Sequence, residues 1–270
     1  MSPETTTYLE IIRPCAAPGR LRHAVFDFDG TLALLRAGWQ GVMARLFRQE
    51  LGPLVPPAEL EAMLAEPIDG MAGRPTLEQM RWLSAALARA GANPLAPEAY
   101  LERFRQRLDA VIEQRLMTIE SGQTPPSAWC VPGALDFVRE LRQRDVICYI
   151  ASGTAEARVQ AEAGWLGLAQ HCALIWGAEA GHEPEAKSAL LAHLADRYHP
   201  GIGEVAVFGD GAPEIAAARA AGAAAIGVTS QELEGPALSQ RKRPYLLSAG
   251  ADALVPDFSR PLELVGYFWS

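Results

Sequence analysis

The sequence predicts an α/β protein: a parallel sheet covered by helices on both faces, with an all-helical segment inserted after the first strand. Three observations carry this prediction. In the second half, short apolar runs ("VICYIAS", "CALIWG", "EVAVFGD", "AAAIGVT") alternate with helical patterns. Continuous apolar strands of this kind fit a sheet buried on both faces. A similar run, "HAVFDFD", stands alone near the start. Between the two, apolar residues recur at spacings of three and four, which is helical.

The elements follow in order. Residues 1–20 show no clear period and form an N-terminal extension. The first strand lies within 21–33. Residues 34–125 read as helices: "AGWQGVMARLFRQEL", "PPAELEAMLAE", "PTLEQMRWLSAALARAG" and "APEAYLERFRQRLDAVIEQRL". Proline opens several of them and glycine closes one, as helix ends require. "ESGQTPPSAWCVPG" is a linker. Residues 126–270 then complete the α/β core, with "PGALDFVRELRQRD", "AEARVQAEAGWL", "EAKSALLAHLADRY" and "PEIAAARAAG" as its helices.

Composition narrows the function. The formal net charge is −8 over 270 residues, which argues against a nucleic-acid partner. Cys15, Cys130, Cys148 and Cys172 form no CxxC pair, so we expect reduced, cytoplasmic usage. "MSPETTTYLEIIRPC" lacks the pattern of a signal peptide, and no apolar run suits a membrane span. Of the 24 basic residues only Lys187 and Lys242 are lysines. Codon bias accounts for the arginines but not for where lysine was kept.

Chemistry-bearing residues fall at four places, each at or after the carboxyl end of an expected strand. Ligands of open parallel sheets bind there. In "FDFDGTL", Asp27 and Asp29 are two apart, which on a strand aims both at one spot. Two such carboxylates repel unless a cation lies between them or one holds a proton. Mg²⁺ accepts such oxygens, and a carboxylate can attack phosphorus. Alone, Asp-Gly is also a plain turn. In "YIASGT", Ser152, Gly153 and Thr154 are expected to open a helix, as an anion cradle or as an ordinary cap. Lys187 sits near a helix start, where the helix dipole opposes it, so a nearby phosphoryl group is a sound reason for it. In "VFGDGAPEI", Asp210 is a second metal carboxylate, steadied by Glu214, or the pair is a cap and a dipole-matched acid. Each bland alternative is respectable singly. Four of them in this order, all at strand ends, are not.

These motifs resemble those of the haloacid dehalogenase superfamily, most of whose members are phosphatases, over about Arg22 to Val265. "DFDGT", "ASGT", Lys187 and "GDGAPE" look like its four motifs in order. "ADALVPDFSRPLEL" is similar to the ending of phosphoglycolate-phosphatase-like and phosphomutase-like members. The resemblance implies a Rossmann-like core with the helical insertion as a type 1 cap. It implies Asp27 as nucleophile and Mg²⁺ ligand. Asp29 becomes the general acid/base and lends its backbone carbonyl to the metal. Asp210 completes the metal site, with Glu214 behind it, while Ser152, Gly153 and Lys187 hold the phosphoryl group. Two departures stand out: the region before the third motif reads "GHEPEAK", and position 214 is Glu where Asp is common.

Asp29 argues against a dehalogenase, which has no leaving alkoxide to protonate. The insertion contains no lysine for a phosphonatase Schiff base. The expectation is an Mg²⁺-dependent phosphatase acting on a small phosphorylated metabolite through an aspartyl phosphate. A sugar phosphomutase and a catalytically inert phosphate-binding member are the alternatives. In "DGMAGRPTLEQM", Arg74 and Thr76 are candidates for substrate contact, against plain surface and a helix cap; Trp39 is cap core or pocket wall. The sequence leaves the oligomeric state open.

Overall fold

The computed structural model describes residues 8–71, 75–178, 186–201, 203–231 and 242–269. Among these, seven strands form one sheet: β1 (Glu10–Ile11), β2 (His23–Phe26), β3 (Ile147–Ala155), β4 (Leu174–Ala178), β5 (Val205–Gly209), β6 (Ala224–Val228) and β7 (Ala253–Val255). Their order across the sheet is β1-β7-β6-β5-β2-β3-β4. All neighbours are parallel except β1, which pairs antiparallel with β7. The chain winds from β2 through β3 to β4 on one side, and from β5 through β6 to β7 on the other. β2 is thus the switch point, where a crevice opens beyond the carboxyl ends of the strands.

The helices of this part are α5 (Ala134–Gln143), α6 (Glu156–Trp165), α7 (Ala186–Tyr198), α8 (Ala212–Ala220), α9 (Lys242–Ala249) and α10 (Pro261–Trp269), with α1 to α4 lying in the insertion. Adjacent strand residues point to opposite faces, and the core divides accordingly. On one face Phe26 stacks on Phe208 with ring centroids 4.7 Å apart, and Phe137 and Phe258 pack around them. On the other, Val25, Tyr149 and Val207 pack against Leu190 and Leu194 of α7 and Ile215 of α8. Burying each large apolar side chain contributes about 1.5–3 kcal/mol, and this double core fixes the strand ends relative to one another.

The strands expected from the apolar runs are present. β1, β7, α9 and α10 were not expected. The extension expected over 1–20 differs from the structure, because Glu10–Ile11 is the sheet's edge strand. Beyond it, Ile12 and Arg13 donate backbone N–H groups to Asp252 O, and Arg13 Nε lies 2.6 Å from Asp252 Oδ1. Two residues of backbone pairing leave no periodicity for a sequence to reveal.

The chain divides into two compact units, Met1–Leu35 with Thr118–Ser270, and Arg36–Met117. The sequence placed the insertion at 34–125, which starts two residues before this unit and ends eight residues after it. The second unit is helical: α1 (Trp39–Leu51), α2 (Pro57–Ala65), α3 (Thr76–Arg89) and the greater part of α4 (Pro97–Glu120). Val42, Met43, Leu46 and Phe47 of α1 recur at helical spacing and meet Met80, Leu83 and Leu87 of α3 and Phe104 of α4. Phe47 and Trp82 stack at 5.8 Å with an interplanar angle of 7°. Trp39 packs against this same core. No helix among the described residues is long and apolar enough to cross a membrane.

Candidate active site

β2 ends at Phe26, so Asp27 and Asp29 lie in the turn after the strand and not on it as the sequence suggested. Asp27 still continues the sheet, donating its N–H to Phe208 O. Phe28 is fully buried and anchors the turn by accepting N–H bonds from Leu32 and Ala33. This holds Asp27 buried at 5% exposure, with Thr31 Oγ1 3.4 Å from its Oδ2.

Lys187 is the second residue of α7, where the dipole disfavours a cation. Its ammonium lies 2.8 Å from Asp27 Oδ1 and bonds Glu214 Oε1 as well. Burial alone would lower the Lys187 pKa, but these two carboxylates overcome it and raise it, so the ammonium stays charged. Burial pushes the Asp27 carboxyl up. Lys187 opposes that shift, and the like charges of Glu214 and Asp210 add to it. A buried carboxylate of this kind gains from any further cation.

Asp210 follows β5, and Glu214 lies in the first turn of α8, where the dipole favours an acid. A side chain at Gly209 would bring its Cβ within 2.2 Å of Glu214 Cγ, so glycine lets the acid fold back beside Asp210. Gly30 does the same from the other side. Its φ is 77°, and a Cβ there would meet Asp210 Oδ2 at 2.3 Å.

Ser152 and Thr154 lie within β3, and α6 opens only at Glu156. The expected helix-start cradle is therefore an extended strand end with a register irregularity between Ala151 and Ala155. Tertiary pairing with β4 prolongs the strand past the Ser-Gly-Thr signal. Ser152 is buried, and its Oγ accepts the Thr154 N–H at 3.0 Å, which leaves the hydroxyl proton to donate. Gly153 is exposed at the strand end. Thr154 Oγ1 donates to Asp29 Oδ2 at 3.1 Å, joining the second motif to the first.

The expected residues therefore meet: Asp27 bonds Lys187, Lys187 bonds Glu214, and Asp29 bonds Thr154. Among the described residues, Asp27, Asp210 and Glu214 offer carboxylate oxygens within 4.8 Å of one another. An all-oxygen donor set of this charge suits Mg²⁺. Asp29 enters this set only through the backbone carbonyl that the family resemblance implies. Arg74 lies outside the described residues. Thr76 is the first residue of α3, and no side chain caps that helix, so it does not serve as the cap considered above.

Sequence reasoning missed three partners. Lys242 Nζ lies 2.6 Å from Asp210 Oδ2 and donates to Ser230 Oγ at 3.2 Å; Ser230 Oγ in turn donates to Gly30 O. Tyr245, one turn along α9, donates to Asp210 O at 3.1 Å. The scarcity that singled out Lys187 applied equally to Lys242. Ser230 and Tyr245 carry no comparable signal.

Comparison with known proteins bears on the family and the fold. The sequence profile of the haloacid dehalogenase-like hydrolases matches residues 21–222. Among solved structures, the chain is similar to a haloacid dehalogenase-like hydrolase from Streptococcus pneumoniae, with a TM-score of 0.61 and 19% identity over 92% of this chain and 99% of that one. It is similar to a haloacid dehalogenase-like protein from Agrobacterium tumefaciens, with a TM-score of 0.61 and 22% identity over 91% and 98% of the two chains. A third is a predicted phosphoglycolate phosphatase from Haemophilus somnus, with a TM-score of 0.58 and 17% identity over 91% and 98%. No curated protein matches the chain in sequence. The profile spans most of the chain, including all four motifs, and the protein belongs to the haloacid dehalogenase-like hydrolases.

Proposed function

We propose that this hydrolase is an Mg²⁺-dependent phosphatase of small organic phosphate monoesters, working through a phosphorylated Asp27. The observation that carries the proposal is the buried Asp27 carboxylate 2.8 Å from the Lys187 ammonium, beside Asp210. In phosphoryl transfer the protein mainly positions groups and neutralises charge.

Asp27 attacks phosphorus, and the bond from phosphorus to the ester oxygen breaks. Asp29 gives that oxygen a proton, so it leaves as an alcohol. Asp29 then takes a proton from water as the water attacks the phosphoryl group. The Asp27–phosphorus bond breaks, and inorganic phosphate departs. Lys187 and the Ser152 hydroxyl hold the phosphoryl oxygens throughout, with the exposed strand end at Gly153 beside them. Glu214, bonded to the same ammonium, keeps Lys187 in place. Asp27, Asp210 and the Asp29 carbonyl would hold Mg²⁺, which supplies charge neutralisation for the nucleophile and the phosphoryl group. We place the protein in the cytoplasm, since all four cysteines are free.

The test is phosphate release from a panel of phosphorylated metabolites, with Mg²⁺ and with chelator. Chelator-sensitive release by the wild type, abolished in Asp27→Asn with the fold intact, is the expected result. Wild-type rates in Asp27→Asn would sink the mechanism. A protein that releases no phosphate but interconverts sugar phosphates with a bisphosphate primer would be a mutase. One that binds Mg²⁺ and phosphate without turnover would be an inert member.

A further inference from the structure

We propose that Lys242 is a built-in counter-ion of the metal cluster: it neutralises Asp210 when no divalent cation is bound, and it weakens the cation's binding when one is. The inference rests on the reading that Asp27 and Asp210 hold a metal, and it concerns a residue outside the four motifs.

Four carboxylates, those of Asp27, Asp29, Asp210 and Glu214, converge on the strand ends. Lys187 is committed to two of them, Asp27 and Glu214. Asp210 would then stand beside Asp27 and Glu214 with like charges and no cation of its own, which is unfavourable at partial burial. Lys242 removes that imbalance. Its side chain is 14% exposed, its Nζ lies 2.6 Å from Asp210 Oδ2, and Ser230 receives a second of its three N–H groups. The ammonium is held in this position from several sides. Ser230 is tied to Gly30 O, and Tyr245 of the same helix bonds Asp210 O. Placement by α9 is therefore a feature of the folded core and not of a wandering surface lysine.

A divalent cation arriving at Asp210 meets a carboxylate that already shares its charge. The fixed ammonium repels the incoming ion, and the two partly compete for one acid. The benefit lies in the metal-free protein, whose acidic crevice stays compensated.

The experiment titrates Mn²⁺ as probe into the wild type, Lys242→Met and Lys242→Gln, by calorimetry and by the spin-resonance signal of free Mn²⁺. It also records Tm of each in chelator and in saturating Mn²⁺. Gln keeps a donor for Asp210 and Ser230 without the charge, so it tests the proposal even if the Met variant folds poorly. The expected result is Mn²⁺ binding at least about threefold tighter in both variants. A lower Tm in chelator, recovered in Mn²⁺, should accompany it. Unchanged or weaker Mn²⁺ binding in the folded variants would overturn the proposal, because Lys242 would then be neutral to the metal or an aid to it. A Tm deficit that Mn²⁺ leaves in place would also overturn it, making the contact purely structural. A wild type that binds no Mn²⁺ would overturn the metal site itself, an outcome distinct from equal binding by wild type and variants.

Discussion

The Lys187 ammonium stands 2.8 Å from Asp27 Oδ1 and bonds Glu214 at the same time, so one cation bridges the first and fourth motifs of the family. Lys187→Met should lower turnover at least about a hundredfold, the scale on which fixed charges act in closed sites. It should also destabilise the metal-free protein by up to about 3–5 kcal/mol, since two buried carboxylates lose their partner. Steady-state kinetics and denaturant unfolding in chelator measure the two effects. Unaltered stability would mean that water already screens the pair.

Thr154 links the second motif to Asp29 through a 3.1 Å hydrogen bond. Thr154→Val keeps the shape and deletes the donor. A bond to a charged group is worth about 1.5–3 kcal/mol, so kcat should fall roughly tenfold or more. On the proposed mechanism KM should hold within about a factor of three, because the donor orients the acid/base and not the phosphate. A rise in KM at constant kcat would reassign Thr154 to substrate binding.

Gly30 has φ 77°, and a Cβ there would meet Asp210 Oδ2 at 2.3 Å. Gly30→Ala should cost about 1–2 kcal/mol for the left-handed backbone alone. The Asp210 carboxylate must also turn out of the cluster it forms with Asp27 and Glu214. Weaker Mn²⁺ binding is expected, together with a lower unfolding midpoint. A variant with wild-type metal affinity would show that Asp210 can shift without consequence.

His23 is buried at the opposite end of β2, with Nδ1 3.0 Å from the Tyr149 hydroxyl and its ring 4.9 Å from that of Tyr198. Burial lowers its pKa below the usual 6.5, and the Glu204 charge only partly offsets this. The unfolded chain therefore binds the proton first, and stability falls as pH drops through about 6.5 toward the lower native value. His23→Gln should flatten that slope between about pH 7 and 5, whatever it does to stability at neutral pH. Equal slopes in urea unfolding of both proteins would rule His23 out as the titrating group.

The sequence by itself determined the α/β class, the helical insertion and the order of the four motifs. Their signals are local: apolar runs, helical periodicity, and acids or hydroxyls at the ends of runs. Asp27, Asp29, Ser152, Asp210 and Glu214 were legible as candidates for that reason, and Lys187 through the scarcity of lysine and its place near a helix start. Tertiary structure decided what no local pattern encodes. β1 became an edge strand because Asp252 and β7 offered it backbone partners. The Ser152–Thr154 stretch became extended because β4 pairs beside it. Lys242 reached Asp210 because α9 packs against α8, although the two partners are 32 positions apart in the chain. A charge pair across that separation is fixed by how the sheet and helices close around one crevice, and its energy depends on a burial that exists only in the folded chain.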